Sequence, residues 1–190
     1  MNLKVITAPT VEPISLEEAK LFLRVDHDEE DDLIEALIGA ARGHCEDYQR
    51  RTIAETTYQL TLDEFPKEKF IKLPNPPLKS VLSVTYTDEE GTVNTFSTDN
   101  YIVDSDSEPG RIALKEGKEW ATDTLQPVGG VKIQFTAGYG TGLIPKQTLQ
   151  AMKMLVGLYY ENREAYAIGN VAGVAIPFGV DALLWGHRSW

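Results

Sequence analysis

The 190 residues predict an α+β fold, a small helical bundle from the N- and C-terminal segments with an antiparallel β module inserted between them. Three observations lead there. Apolar residues recur at three- and four-residue spacing before about residue 55 and after about residue 138. Between those limits they alternate. The second changeover falls on a glycine-rich stretch, Gly138-Tyr139-Gly140-Thr141-Gly142, as a strand-to-helix connection requires. The simplest packing makes residues 1–55 and 138–190 one helical core and 56–137 the β insertion.

Each element has its own signal. Ser15-Leu16-Glu17-Glu18 is a capping box: the Ser15 hydroxyl can accept from the amide three residues on, and Glu18 can reach back. Leu16, Ala19, Leu21, Phe22 and Leu23 make the short helix that follows strongly apolar. Asp26 to Asp32 form an acidic start to a second helix, where carboxylates favour the positive end of the dipole. Leu33, Leu37, Ala40, Ala41, Cys45 and Tyr48 then predict one buried stripe, with Arg50 and Arg51 at its end. Strands are predicted at 57–62, 70–73, 81–86 and 131–135, with shorter ones at 100–103 and 111–114. Asp88-Glu89-Glu90-Gly91 predicts a hairpin turn, and Pro74, Pro76 and Pro77 an extended corner. Pro145 opens a third helix that runs through Leu149, Met152, Leu155, Val156, Tyr159 and Tyr160 to about Glu164. Residues 168–176 read as irregular, and Pro177 to His187 as a last short helix.

Charge narrows the function classes. The formal net charge is −11, distributed as −7 over residues 1–55 (13 acids, 6 bases), −5 over 56–137 (13, 8) and +1 over 138–190 (3, 4). Such a protein repels phosphate chains, so tight non-specific DNA binding is not expected, although DNA could slide past it. No apolar run of about 18 residues predicts a transmembrane helix, and no membrane partner is expected. The N-terminus carries no signal-peptide pattern, and Cys45 has no partner for a disulfide within the chain, which suits a reducing cytosol.

The motifs argue against catalysis and cofactors. Asp26, Asp28, Glu30 and Asp32 alternate as in a calcium loop, but the required Gly and Glu positions hold Asp31 and Leu37. The glycines at 138–142 lack the Gly-Lys-Ser/Thr ending of a phosphate loop and the spacing of a dinucleotide site. His27, His44 and His187 are dispersed, and no metal-ligand spacing occurs. Cys45 lies on the apolar stripe and reads as a buried structural thiol rather than a nucleophile. Glu161, Arg163 and Glu164 read as a salt-bridged helix end, a candidate subunit contact near Tyr160. From Tyr166 to Trp185 only Asp181 is charged, so this segment must bury itself, either on its own bundle or on a partner.

The order and spacing of several pieces resemble the phage head–tail connector (adaptor) proteins of the gp6-like group, and within it the phiE125 gp8-like members. The pieces are Pro13-Ile14-Ser15-Leu16-Glu17-Glu18-Ala19-Lys20 with Leu23-Arg24-Val25-Asp26; Asp31-Asp32-Leu33-Ile34 leading to Ala40-Ala41-Arg42; Leu73-Pro74-Asn75-Pro76-Pro77-Leu78 before Ser83-Val84-Thr85-Tyr86; Phe135-Thr136-Ala137-Gly138-Tyr139-Gly140 with Ile144-Pro145; and Tyr159-Tyr160-Glu161-Asn162-Arg163-Glu164. The resemblance implies a structural virion protein without catalysis, a ring of about twelve copies, and a channel through which DNA passes without specific binding. It implies the portal protein and tail or head-closure proteins as partners. The β module is where this chain departs from the smallest, nearly all-helical members. On this reading the candidate interface residues are Asp28, Asp31 and Asp32 at the acidic helix start, Tyr160 and Arg163 at the third helix end, and Phe178, Leu183, Leu184 and Trp185 in the tail. Two competing readings remain: a tail-completion or terminator protein, and a phage-encoded hydrolase whose carboxylates converge on folding.

Overall fold

The computed structural model describes residues 1–121, 124–140, 142–162 and 178–189. The chain folds into two compact units. One comprises Met1–Thr10 and Glu55–Tyr139, the other Val11–Ala54 and Gly140–Trp190. The chain therefore passes between them three times.

The first unit is built of β-strands. A five-stranded antiparallel sheet has the order β1-β2-β8-β4-β5, from β1 (Asn2–Thr7), β2 (Thr56–Leu62), β8 (Val131–Ala137), β4 (Leu78–Thr87) and β5 (Val93–Thr95). A three-stranded sheet has the order β3-β7-β6, from β3 (Phe70–Lys72), β7 (Arg111–Leu114) and β6 (Tyr101–Asp104). Alternation sets the register: Leu60 and Val84 both oppose Ile133, and all three are buried. Buried residues of both sheets form one core, in which Leu60, Ile133 and Phe135 meet Ile71 and Ile112. At its edge Phe65 stacks on Trp120 at 5.1 Å, and Phe96 lies 5.4 Å from the same indole. Gly110 is needed beside Leu78, because a Cβ would come within 2.4 Å of the Leu78 Cβ.

Residues 1–10 correct the expectation that everything before residue 55 is helical. β1 pairs with β2 from Asn2↔Thr61 to Thr7↔Thr57 and belongs to the β unit. The chain thus begins in the β unit, and residues 55–139 are not its only contribution. The short β5 completes the expected hairpin with β4. It follows the expected turn, where the Asp88 carboxylate accepts from the Thr92 amide at 2.7 Å and Gly91 takes φ +83°.

The second unit contains α1 (Leu16–Leu23), α2 (Asp31–Gln49), α3 (Lys146–Glu161) and α4 (Phe178–Trp185). Its core joins Ile14, Ala19, Ile34, Ile38, Cys45, Met152, Leu155 and Leu184. One expectation needs correction. The buried stripe of α2 is Ile34, Ile38, Ala41, Cys45 and Gln49, whereas Ala40 is exposed and Leu33, Leu37 and Tyr48 are half-buried. α2 is turned by about one residue because α3 and α4, supplied by the far end of the sequence, decide which face is covered. In α1 only Ala19 is buried, and Leu21 is left 81% exposed. The readings of Glu164 as a helix end and of 168–176 as irregular lie outside the described residues.

Candidate functional site

The two ends of α2 carry the surface chemistry of the helical unit. α1, which leads into its N-terminal end, forms its capping box as expected. The Ser15 Oγ accepts from the Glu18 amide at 3.1 Å, and the Glu18 carboxylate accepts from the Ser15 amide at 3.3 Å. α1 closes with Arg24 in the left-handed region, φ 60°, which turns the chain into the acidic segment. There Lys20 donates to Asp28 at 2.6 Å and to Asp31 at 2.7 Å. The Asp28 hydrogen bond, then that to Asp31, holds the Lys20 ammonium above its ordinary pKa, and the same bond holds Asp28 below the usual carboxylate range. One cation thus serves two carboxylates. Asp26, Glu29 and Asp32 are exposed beside them. Nearby, the Tyr160 hydroxyl at the end of α3 donates to the Glu30 carboxylate.

At the C-terminal end the tail is tied to its own bundle. Gln49, fully buried, donates from Nε2 to the Thr148 hydroxyl at 3.2 Å and to the Leu184 carbonyl at 3.1 Å. The Ser189 amide donates to the Gln49 carbonyl at 2.8 Å, and the Arg51 guanidinium donates to the His187 carbonyl. Leu184 is buried and Leu183 half-buried, but Trp185 remains 54% exposed. Arg188 lies over both the Trp185 ring, at 5.8 Å, and the Tyr48 ring, at 5.7 Å.

A third cluster anchors the chain where it leaves and enters the unit. Arg42 donates to Glu12 at 2.8 Å and to Glu46 at 2.8 Å, and the other Glu46 oxygen accepts from the Ile53 amide at 2.7 Å and the Ala54 amide at 3.3 Å. Burial pushes the Glu46 carboxyl pKa up. Cys45 is fully buried and its thiol is pushed up to about 12 by the same cause, which suits the structural reading rather than a nucleophile.

The structure therefore gathers Asp28 and Asp31 around Lys20 and brings Tyr160 to the same end of α2 through Glu30. It sets Leu183, Leu184 and Trp185 at the opposite end. Asp32 stands exposed with no part in the Lys20 cluster. Phe178 begins α4, and Arg163 lies outside the described residues. Sequence reasoning missed Gln49 and Arg42. Gln49 does carry a signal: it continues the Ile34–Ile38–Ala41–Cys45 spacing, and a polar residue in a buried register needs partners. Among the described residues no group of three or more His, Cys, Asp or Glu could hold a metal ion.

Against known families, the one described as head completion protein matches residues 12–177. The chain belongs to the head completion protein family. This head completion protein is a structural component of the head–tail connection of the virion. Its fold resembles a chain in the neck of an empty gene transfer agent (GTA) particle computed with C6 symmetry, at 25% identity and TM-score 0.81, covering 100% of this chain and 96% of that one. A chain in the virion of a native GTA particle matches with the same identity, TM-score and coverage. A chain in the neck of a native GTA particle computed with C12 symmetry shares the fold at 24% identity and TM-score 0.77, covering 100% and 96%. No curated protein matches.

Proposed function

We propose that this head completion protein is one subunit of a closed ring of about twelve copies that sits between portal and tail and continues the DNA channel. The supporting observation is full-length similarity, 100% of this chain against 96% of a chain from a GTA neck, in a fold also found in a neck computed with C12 symmetry. The chemistry agrees. A ring subunit works through two different surfaces that meet head to tail, and the helical unit offers unlike ends. A net charge of −11 lets DNA pass without sticking, because phosphate chains gain nothing by condensing on an acidic wall. The partners are further copies of the chain, the portal, and tail or head-closure proteins. The role is architectural, with no catalysis and no cofactor.

Electron microscopy of the purified protein mixed with its portal tests this. The expected result is added, rotationally symmetric density on the tail-side face of the portal. Density on isolated tail tubes and none on the portal would instead support a tail-completion or terminator protein.

A further inference from the structure

We propose that neighbouring copies join through the β unit, the side that carries β1 and β3 on one copy meeting the side that carries β5 and β6 on the next. The inference rests on the ring reading above. Its basis is a sandwich whose two opposite sides are both open and carry opposite charge.

Each side holds two free strand edges. β1 and β5 end the five-stranded sheet, and β3 and β6 end the three-stranded one. β1 and β3 share a side, where a hollow of about 340 Å³ is lined by Met1 and Leu62 from one sheet and by Phe70 and Lys72 from the other. β5 and β6 share the other side. The Phe96 ring, just after β5, stacks at 6.1 Å on the ring of Tyr101, which begins β6. Four strand spacings put the β1 and β5 edges about 19 Å apart, facing away from each other. An open edge offers its unpaired amides and carbonyls to another chain.

The charges differ in sign. Residues 1–10 and 69–74, which hold β1 and β3, contain Lys4, Lys69 and Lys72 and no acid. The linking loop adds Asp63, Glu64 and Glu68 against Lys67, but it crosses the end of the sandwich, where Phe65 packs on Trp120 and Phe96. Residues 88–108, which hold β5 and β6, contain seven acids and no base. Two bases reach them from outside, Arg111 at Asp104 and Lys115 at the Thr98 carbonyl, so a large negative excess remains. Lys4, Lys69 and Lys72, like Glu89, Glu90 and Asp106, are exposed and make no side-chain hydrogen bond or ion pair among the described residues. Both sides also expose apolar groups, Val5, Ile6 and Phe70 on one and Val93, Ile102 and Val103 on the other.

One unit thus carries both complementary halves, which makes a second copy the occupant. Like sides repel, most of all the acidic ones. A two-fold axis that set the basic side of one copy on the acidic side of another would have to join the remaining two sides as well. That requires the two five-stranded sheets to close into a ten-stranded barrel. Its interior would hold either the three-stranded sheets or the polar face that carries Gln59, Lys132 and Gln134. A head-to-tail contact needs neither, and it is the kind that closes into a ring.

Charge reversal tests the contact. In assembled particles, Lys69→Glu with Lys72→Glu is expected to lower neck occupancy about tenfold, and Glu89→Lys with Glu90→Lys to do the same. All four changes in one chain restore opposite signs at every junction and are expected to recover most of the occupancy. A chain with all four that does no better than the worse pair would overturn the contact, as would pairs without effect. Cysteines give an independent readout. Val5 and Val93 are exposed on the two edges, and Cys45 is fully buried. Mild oxidation of particles carrying Val5→Cys and Val93→Cys together should link copies into a ladder beyond dimers, while each single variant stays unlinked. Dimers from a single variant would reveal a two-fold contact and overturn the proposal. Complete neck rings without a ladder would also overturn it and leave the ring reading standing. Necks that lack the unaltered protein would overturn the ring reading instead.

Discussion

The two units solve the same packing problem with different side chains. The helical core relies on small and aliphatic residues, with Ala19, Ala41, Cys45 and Ala151 wholly or almost wholly buried. The β core relies on rings, with Tyr58, Phe96, Tyr101 and Phe135 buried and Phe65 and Trp120 packed against them. Helix axes pack about 8–10 Å apart, closest where small residues stand at the contact, whereas facing sheets stand about 10 Å apart and take long side chains to fill the gap. Their buried polar groups differ as well. In the β unit these are threonines on or beside the strand ladder, Thr56, Thr87 and Thr136. In the helical unit Gln49 and Thr148 bond across elements nearly a hundred residues apart in the sequence. The β unit is held chiefly by its ladder and its rings, and the helical unit depends on a few specific polar ties to hold its tail.

The strongest way to break that contrast is to hollow each core in turn. Phe135→Ala should cost about 3–5 kcal/mol and Leu155→Ala about 2–5 kcal/mol in denaturant unfolding. Because the two cores are separate clusters, hydrogen exchange should show protection lost mainly in the unit that carries the change. Uniform loss throughout the chain would contradict it. Next in size is Gln49→Leu, which removes the side-chain donor to the Thr148 hydroxyl and to the Leu184 carbonyl and should cost about 1–3 kcal/mol. Faster amide exchange in α4 is the accompanying readout. Ser15→Ala removes the cap of α1 and should cost about 1 kcal/mol, visible as a lowered melting temperature.

The smallest effect separates the units by pH. In the β unit, hydrogen bonds from the Ser107 hydroxyl at 2.7 Å and from Arg111 at 2.9 Å hold Asp104 down to about 2. Its folded value lies below the ordinary one of about 3.9, so its contribution is present above that pH and lost as pH falls towards 2. In the helical unit burial raises Glu46, so its protonated form favours the fold below the ordinary value of about 4.3 and that contribution is lost as pH rises through the folded one. Carboxyl NMR titration should find Asp104 with a midpoint near 2 and Glu46 above the ordinary glutamate value. Matching midpoints would show that the two sites do not differ.

Much of this organisation is legible in local chemistry. The capping box at Ser15, the hairpin turn at Asp88–Gly91 and the alternating strands 57–62 and 131–135 each rest on residues close in sequence, and each forms. β1 escaped notice because Leu3-Lys4-Val5-Ile6-Thr7 is short, lies at an edge and is largely exposed, so the core does not impose a strong alternation. The acidic start of α2 is evident as charge, but the Lys20 clasp is not, since it depends on how α1 turns back at Arg24. The apolar tail posed a choice between its own bundle and a partner. The fold divides it, with Leu184 inside and Trp185 at the surface.

The sequence by itself determined the helices and most of the strands, where α1 begins, and that the start of α2 is acidic. Those properties follow from neighbours within a turn or two of each residue. Only the tertiary structure decided which face of α2 is buried, that the first ten residues join the β unit, and which side chains of α4 face outward. Each of those depends on partners distant along the chain, and burial against them, rather than local preference, supplies the free energy that chooses.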